Sequence, residues 1–370
     1  MKMTARRFLY LFASASMLFS CATGGYEITG YFPAAEDGTV VYMTSADENF
    51  TNIDSAVIKN GQFVFAGSSE GRKLCMLLVE KKAVGGPVVI EEGDITVRFG
   101  QGMLRSGTHG NEVLQRFVAG KEHLRNLQGV TSPEFLKNMP IGESMLDSLV
   151  AARDEAEKNL GTYALFAIEQ NINNQLGLYL LSQSYASMEV ENLNAFLVRV
   201  PDYLRDARYN LMREYCDHKM ASVKRRKATA VGSGYVNFEL PDLSDKKVLF
   251  SKIVEKNRYT LLQFWASWCA PCLAELPALA GVYDEYKKSG FAVVGVSLDS
   301  DKESCAAVCA AMKLRWVQLC APSGGSGELA SAYGVDAIPA NVLVNDRGTI
   351  IARNISPEEL ARLLKEPVVK

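Results

Sequence analysis

The sequence predicts a chain of mixed class in three parts: an antiparallel β domain, a helical segment and a three-layer α/β domain. Three observations carry this reading. Over residues 26–107 short runs such as "YEITGYF", "DGTVVYMTS" and "GPVVIEEGDITVRFG" alternate apolar with polar residues and are cut by turn residues. Over 111–230 apolar residues recur at helical spacing, as in "SMLDSLVAARDEAEKNLGTYALFAIEQNI". Over 232–370 single strands alternate with single helices. At 370 residues, 48% of them hydrophobic and 22% charged, the chain exceeds one ordinary core and has apolar mass enough to fold unaided.

The elements follow in order. Val57 to Phe65 alternates around Asn60-Gly61, a two-residue hairpin signal. The helical segment ends in the basic run "KRRK", residues 224–227, read as a solvated helix end, and "ATAVGSGY" after it reads as a small-residue linker. "YVNFELPD" and "KKVLF" suggest a leading hairpin, and "YTLLQFW" a buried strand. "APCLAELPALAGVYDEYKKSG" is a helix closed by Gly290, and "FAVVGVSLD" is apolar enough for the middle of a covered sheet. "DKESCAAVCAAMK" is a helix, "WVQLC" a strand, "SGELASAYG" a helix, and "ANVLVNDRGTIIARN" a hairpin. The final helix, "SPEELARLLKE", opens with Ser356, Pro357 and Glu359 placed as a capping box.

Residues 1–21 differ in kind. Lys2, Arg6 and Arg7 precede an apolar run from Phe8 to Phe19, too short for a spanning helix and suited to a signal sequence. Its end, "LFSC", resembles the bacterial lipoprotein cleavage box, which would make Cys21 a lipidated first residue and hold the protein on a membrane surface. Ordinary secretion with cleavage at Ser20-Cys21-Ala22 is the alternative. Both export the body of the protein. A formal charge of -2 offers no one-signed field, so nucleic acid is not an expected partner.

Cysteines stand at 21, 75, 216, 269, 272, 305, 309 and 320, without a repeating spacing, in a chain too large to need a disulfide framework. Cys269 and Cys272, in "FWASWCAPCLAELP", ask for a different explanation. Cys269 lies where a buried strand gives way to a helix, at the N-cap, and Pro271 falls in the first turn where a missing N–H does no harm. The free amides of that turn, Cys272's included, favour the Cys269 thiolate. The macrodipole contributes at most about 2 kcal/mol, so directed N–H bonds must add to it to bring a thiol from about 8.5 to near 7. Cys272, one turn in, can attack a mixed disulfide on Cys269. A structural zinc would need a second ligand pair, and the histidines, 109, 123 and 218, are far upstream. A static staple closing so short a loop would remove little chain entropy. Cys75 and Cys216 read as core. Cys305, Cys309 and Cys320 read as buried thiols; were two of them bridged, Cys309 with Cys320 is preferred, because Cβ vectors at i and i+4 of one helix are poorly aimed.

"FWASWCAPC", the following "ELP", "VVGVSLD" and "YGVDAIPANVLVNDRGTIIARN" resemble the thioredoxin superfamily, most closely its membrane-anchored extracytoplasmic branch, the ResA and TlpA type. The resemblance covers residues 232–370. The β domain, through "IDSAVIKNGQFVFAG", is more weakly similar to a domain that precedes thioredoxin domains in Bacteroidetes lipoproteins. The resemblance implies a cis Ile338–Pro339 bond facing the cysteines, with Ile338 pairing to substrate backbone. It implies that Trp268 shields the pair and shapes the docking surface, and that Glu275 tunes the thiols. Glu275 taken alone reads equally as a solvated helix residue, and Trp268 as packing. Two positions depart from the family pattern. Gln263 stands where many thioredoxins have a buried aspartate, and Ala340 replaces a threonine. Proton transfer must then fall to Glu275 or water.

The expected activity is thiol-disulfide exchange without a cofactor or metal, with Cys269 as nucleophile and Cys272 as resolving thiol. The expected partners are envelope protein thiols and disulfides, a membrane thiol electron donor and a lipid anchor. The reducing direction is preferred; an oxidase or isomerase, a binding lipoprotein using the fold as scaffold, and a thiol peroxidase are the alternatives.

Overall fold

The computed structural model describes residues 24–47, 49–80, 84–139, 141–321 and 325–365. Cys21 and the expected signal segment lie outside the described residues. The chain divides into two compact units, Met1–Glu214 and Tyr215–Lys370.

The first unit opens with β1 (Gly25–Tyr31), β2 (Val40–Ser45), β3 (Asn52–Val57), β4 (Gln62–Ser68), β5 (Lys73–Val79), β6 (Gly85–Ile90), β7 (Gly93–Phe99) and β8 (Met103–Ser106). They form two four-stranded sheets, β4-β1-β7-β8 and β3-β2-β5-β6. All these pairings are antiparallel except β1 with β7, which is parallel. Alternation works as expected, with Phe63 and Phe65 buried and Gln62, Val64 and Ala66 exposed. Both sheets feed one core that includes Ile28, Met43, Phe65, Leu77 and Ile95. The Asn60-Gly61 turn forms: both residues have positive φ, and Lys59 and Gln62 exchange N–H···O bonds of 2.9 and 3.0 Å. The expected hairpin does not extend beyond it, because β3 pairs with β2 and β4 with β1. The turn is a corner at which the chain changes sheet, burying each strand's apolar face in the shared core.

Six helices follow: α1 (His109–Val130), α2 (Pro133–Asn138), α3 (Glu143–Asn171), α4 (Gln175–Ser184), α5 (Val190–Arg199) and α6 (Ala207–Ala228). Buried Asn111 anchors α1 by accepting from the Val89 N–H at 3.0 Å and donating to the Val89 carbonyl at 2.7 Å. Its amide thus completes the main-chain bonding of β6.

The second unit takes the end of α6 and adds β9 (Glu239–Pro241), β10 (Lys247–Leu249), α7 (Phe250–Val254), β11 (Tyr259–Trp265), α8 (Ala270–Tyr286), β12 (Phe291–Ser297) and α9 (Lys302–Ala311). β13 (Val317–Cys320), α10 (Gly325–Ala332), β14 (Ala340–Asn345), β15 (Ile350–Arg353) and α11 (Pro357–Lys365) complete it. The mixed sheet runs β13-β12-β11-β14-β15, with β11, β12 and β13 parallel and β14 and β15 antiparallel. Strand alternation divides its core by face. Leu261, Trp265, Val293 and Leu343 pack with residues of α8, α9 and α11, while Leu262, Phe264, Val294 and Val342 pack with residues of α7 and α10. Burial on both faces explains why these strands read as unbroken apolar runs. The capping box forms as expected, Ser356 N–H reaching Glu359 Oε2 at 3.0 Å and Glu359 N–H reaching Ser356 Oγ at 3.2 Å.

Two readings need correcting. The small-residue stretch after α6 is no free linker: Gly232 N–H bonds the Ile350 carbonyl and Ile350 N–H the Ser233 carbonyl, both at 2.8 Å. Small side chains let this backbone lie against β15. The basic run is not wholly solvated either, since Arg226 pairs with Asp336 at 2.8 Å and Ser222 Oγ donates to the same carboxylate at 2.6 Å. Fully buried Tyr333 closes the same region, its hydroxyl donating to the Val236 carbonyl at 2.8 Å and accepting from the Val236 N–H at 3.1 Å. Tyr333→Phe should therefore destabilise this unit by about 1 kcal/mol. Trp265, Trp268 and Trp316 all belong to it, so the loss is measured as a lower urea midpoint at unchanged slope by tryptophan fluorescence.

Candidate functional site

The site is built at the junction of β11 and α8. β11 is buried to its last residue, and Trp265, fully buried, is held by a bond from its Nε1 to Gln318 Oε1 at 3.1 Å. Gly295 permits this: a Cβ there would come within 2.0 Å of Gln318 Oε1. The chain then turns through Ala266, Ser267 and Trp268, the Cys269 N–H closing the turn on the Ala266 carbonyl at 3.1 Å.

Cys269 is the N-cap of α8, with extended backbone, and its Sγ accepts the Cys272 N–H at 3.2 Å. Pro271 lies in the first turn, as expected. Cys269 and Cys272 are joined as a disulfide. Both are buried, and the bonded Sγ of Cys269 lies 3.7 Å from the Ile338 carbonyl oxygen. The Ile338–Pro339 peptide is cis. Trp268, in contrast to Trp265, is 69% exposed. Cys269, Cys272, Trp268, Ile338 and Pro339 are therefore brought together at one end of the sheet.

Glu275 lies one turn beyond Cys272 on α8, half-buried. Burial, with the negative charge of Glu358 adding to it, holds its carboxyl above the usual carboxylate range. Gln263 is buried on β11, and its Oε1 has no hydrogen-bond partner within the described residues. Ala340 is buried at the start of β14.

One residue of the site was not singled out from sequence. Asp299, 4% exposed, accepts from Ser267 at both oxygens: the N–H at 3.0 and 3.1 Å and the hydroxyl at 2.7 Å. Ser297 Oγ adds a fourth bond of 2.7 Å. A carboxylate thus clamps the loop two residues ahead of Cys269. The available signal was its place at the end of the apolar strand "VVGVSLD", where a buried strand delivers an acid to the sheet edge that carries the cysteines.

The remaining thiols behave differently. Cys75, Cys216, Cys305, Cys309 and Cys320 are unbridged and buried. Cys305, Cys309 and Cys320 are thiols, as read from sequence, with Cys305 Sγ and Cys309 Sγ 3.9 Å apart in a thiol–thiol contact and Cys320 Sγ pointing to the Asp301 carbonyl at 3.9 Å. Side chains one helical turn apart share a face, which brings Cys305 and Cys309 into contact without a bridge. The hydrogen bond to Cys309, reinforced by burial, raises Cys305, and burial pushes Cys75 and Cys320 up to about 11. These stay protonated at neutral pH.

Residues 231–353 match the AhpC/TSA family, and residues 26–114 match a domain family of unknown function, DUF4369. The thiol-disulfide oxidoreductase ResA of Bacillus thuringiensis subsp. konkukian is 30% identical over 140 residues, 38% of this chain and 78% of the relative. The sporulation thiol-disulfide oxidoreductase A of Bacillus subtilis is 32% identical over 114 residues, 31% of this chain and 68% of the relative. A thiol-disulfide oxidoreductase structure from Bacteroides fragilis is 38% identical, with a TM-score of 0.34, covering 36% of this chain and 98% of that one. With the paired cysteines at the mouth of a mixed sheet, and with the two Bacillus relatives at least 30% identical and covered over two thirds or more of their length, the chain belongs to the ResA-like thiol-disulfide oxidoreductases of the thioredoxin fold.

Proposed function

We propose that the second unit reduces protein disulfides of the cell envelope, with Cys269 as nucleophile and Cys272 as resolving thiol. The observation that carries this is the Cys272 N–H directed at Cys269 Sγ at the head of α8. After reduction the same N–H and the helix terminus favour a Cys269 thiolate. That thiolate attacks one sulfur of a substrate disulfide, forming a mixed disulfide and expelling the other sulfur as a thiolate. Cys272, deprotonated by Glu275 or water, then attacks Cys269 Sγ. The mixed disulfide breaks, the second substrate sulfur leaves as a thiolate, and the Cys269–Cys272 disulfide re-forms. Two electrons have passed to the substrate, and a membrane thiol donor restores the dithiol.

Substrate has an evident place to lie. Trp268 offers an exposed apolar face beside the sulfur, and the Ile338 main chain, presented by the cis peptide, offers backbone hydrogen bonding. Anchoring through lipidated Cys21 would hold the site at the membrane, close to such a donor. Among the described residues no helix is long and apolar enough to cross a membrane.

Cys269→Ala should abolish disulfide reduction, and Cys272→Ser should accumulate mixed disulfides with envelope proteins, identified after non-reducing electrophoresis. A potential in the range of about −180 to −120 mV would assign the oxidising direction and overturn this reading. Asp299→Ala strips the Ser267 N–H and two hydroxyls of their acceptor; it should lower turnover by an order of magnitude and stability by about 1–3 kcal/mol, measured by insulin reduction and urea unfolding.

Glu275 generates the pH-dependent expectation. Its folded pKa lies above the unfolded one, so its contribution to stability is present at low pH and lost as pH rises through the folded value. The stability of Glu275→Gln relative to the parent should therefore rise between about pH 4 and pH 7. Loss of the carboxylate should also move the alkylation midpoint of the reduced thiols to lower pH. An unmoved midpoint removes Glu275 from thiol tuning.

A further inference from the structure

Three charged side chains are buried among the described residues: Glu91, Arg105 and Asp299. Two are matched. Glu91 meets Arg72 at 2.6 Å and the Gly110 N–H at 2.5 Å, and Asp299 receives the four bonds described above. Arg105, in β8 and 4% exposed, meets no carboxylate among the described residues. Its guanidinium makes one hydrogen bond, Nη1 to Gln115 Oε1 at 3.1 Å, and its buried Nε has no partner. Burial, opposed in part by Tyr179, lowers its pKa to about 10, so it remains charged at neutral pH. A charge left in this state costs folding energy that the free chain does not recover.

The same side chain lines an open cavity of about 650 Å³ in the first unit, between β6, the β7–β8 turn, α1 and α4. That size suits a small-molecule ligand. Arg98, Lys121 and Arg125 line it too, and none of them has an ion-pair partner among the described residues. Lys121 is held below its ordinary pKa by burial and by the nearby Arg125 charge, and donates only to Gln183. Glu122 is the one carboxylate of the lining, against four cations. Gly86 lies against the guanidinium, where a Cβ would stand 3.2 Å from Arg105 Nη2. Phe99, Met103 and Phe117 supply apolar walls.

We propose that this cavity binds a small ligand bearing an oxyanion, a carboxylate or a phosphate, on Arg105, with Lys121 and Arg125 as further contacts. A planar donor fork with open N–H positions in a water-poor wall is what such anions pair with. The site is separate from the dithiol and needs none of its residues. A purely structural arginine would stabilise the fold; one held for an absent anion would not. That difference sets the test.

Inorganic phosphate and succinate are titrated into the full chain by calorimetry at constant ionic strength set with chloride. One of them should bind saturably, one per chain, and which one does so separates phosphate from carboxylate recognition. Arg105→Met should bind about tenfold or more weakly, while its thermal midpoint without ligand stays level or rises. Gln115 remains satisfied in that variant, because its Oε1 also accepts the Arg105 N–H at 3.0 Å. Should Arg105→Met fail to fold, Arg125→Gln and Lys121→Gln, each expected to bind about threefold more weakly, decide the matter. The proposal is overturned if neither anion binds saturably, if the folded variants bind as the parent does, or if Arg105→Met folds with a lowered midpoint.

Discussion

The second unit is organised around one main-chain hydrogen bond, from the Cys272 N–H to Cys269 Sγ at the start of α8. A sulfur in this position substitutes for the oxygen that usually caps a helix. The substitution has a structural side, since an amide that would be left over is satisfied. It has a chemical side too, because a cap that gains from being negative is a thiol ready to ionise. The rest of the unit fixes that cap in space. β11 is buried on both faces and cannot slide, Trp265 is tied to Gln318, and Asp299 holds Ser267.

This arrangement also sets Cys269 apart from the other cysteines. In the cysteine cluster around β12 and α9 burial raises Cys320, while the hydrogen bond between Cys305 and Cys309 raises the first and lowers the second. Cys269 is nearly as buried, at 4%, yet its Sγ accepts a main-chain N–H, that of Cys272. Depth is common to both groups of cysteine. Cys305 and Cys309 turn to each other.

Much of this was legible in the sequence, for identifiable reasons. Strands buried on both faces, helix caps and the Cys-Ala-Pro-Cys turn are local features, written in neighbouring residues, and they appeared where the periods placed them. The cis Ile338–Pro339 bond was accessible only through family resemblance, since X-Pro dipeptides are far more often trans. What the residues did not show was non-local. The Asn60-Gly61 turn encodes a reversal but says nothing of which sheet each arm joins. The small residues at 228–235 read as a linker because their bonds go to β15, more than a hundred positions away. Asp299 belongs to the same class: an acid at a strand end becomes part of a site only when the fold brings Ser267 to it.

Buried polar groups left without partners are expensive, and folds retain few of them. Gln263 Oε1 and Arg105 Nε are two such atoms, one in each unit, among the described residues. Gln263 shares the sheet face of Trp265, the face that packs against α8 and the cysteines. In the oxidised protein neither bonded cysteine carries a proton to offer. Reduction creates S–H donors in this core. A neutral amide in that position can accept a hydrogen bond but not the proton itself. The difference from an aspartate is energetic as well as chemical. A buried carboxylate would repel the Cys269 thiolate and raise the cost of the reduced state, whereas Gln263 adds no charge to the site. Thiolate formation is then governed by the head of α8 more than by its surroundings, which returns the chemistry of the unit to the single bond that organises its structure.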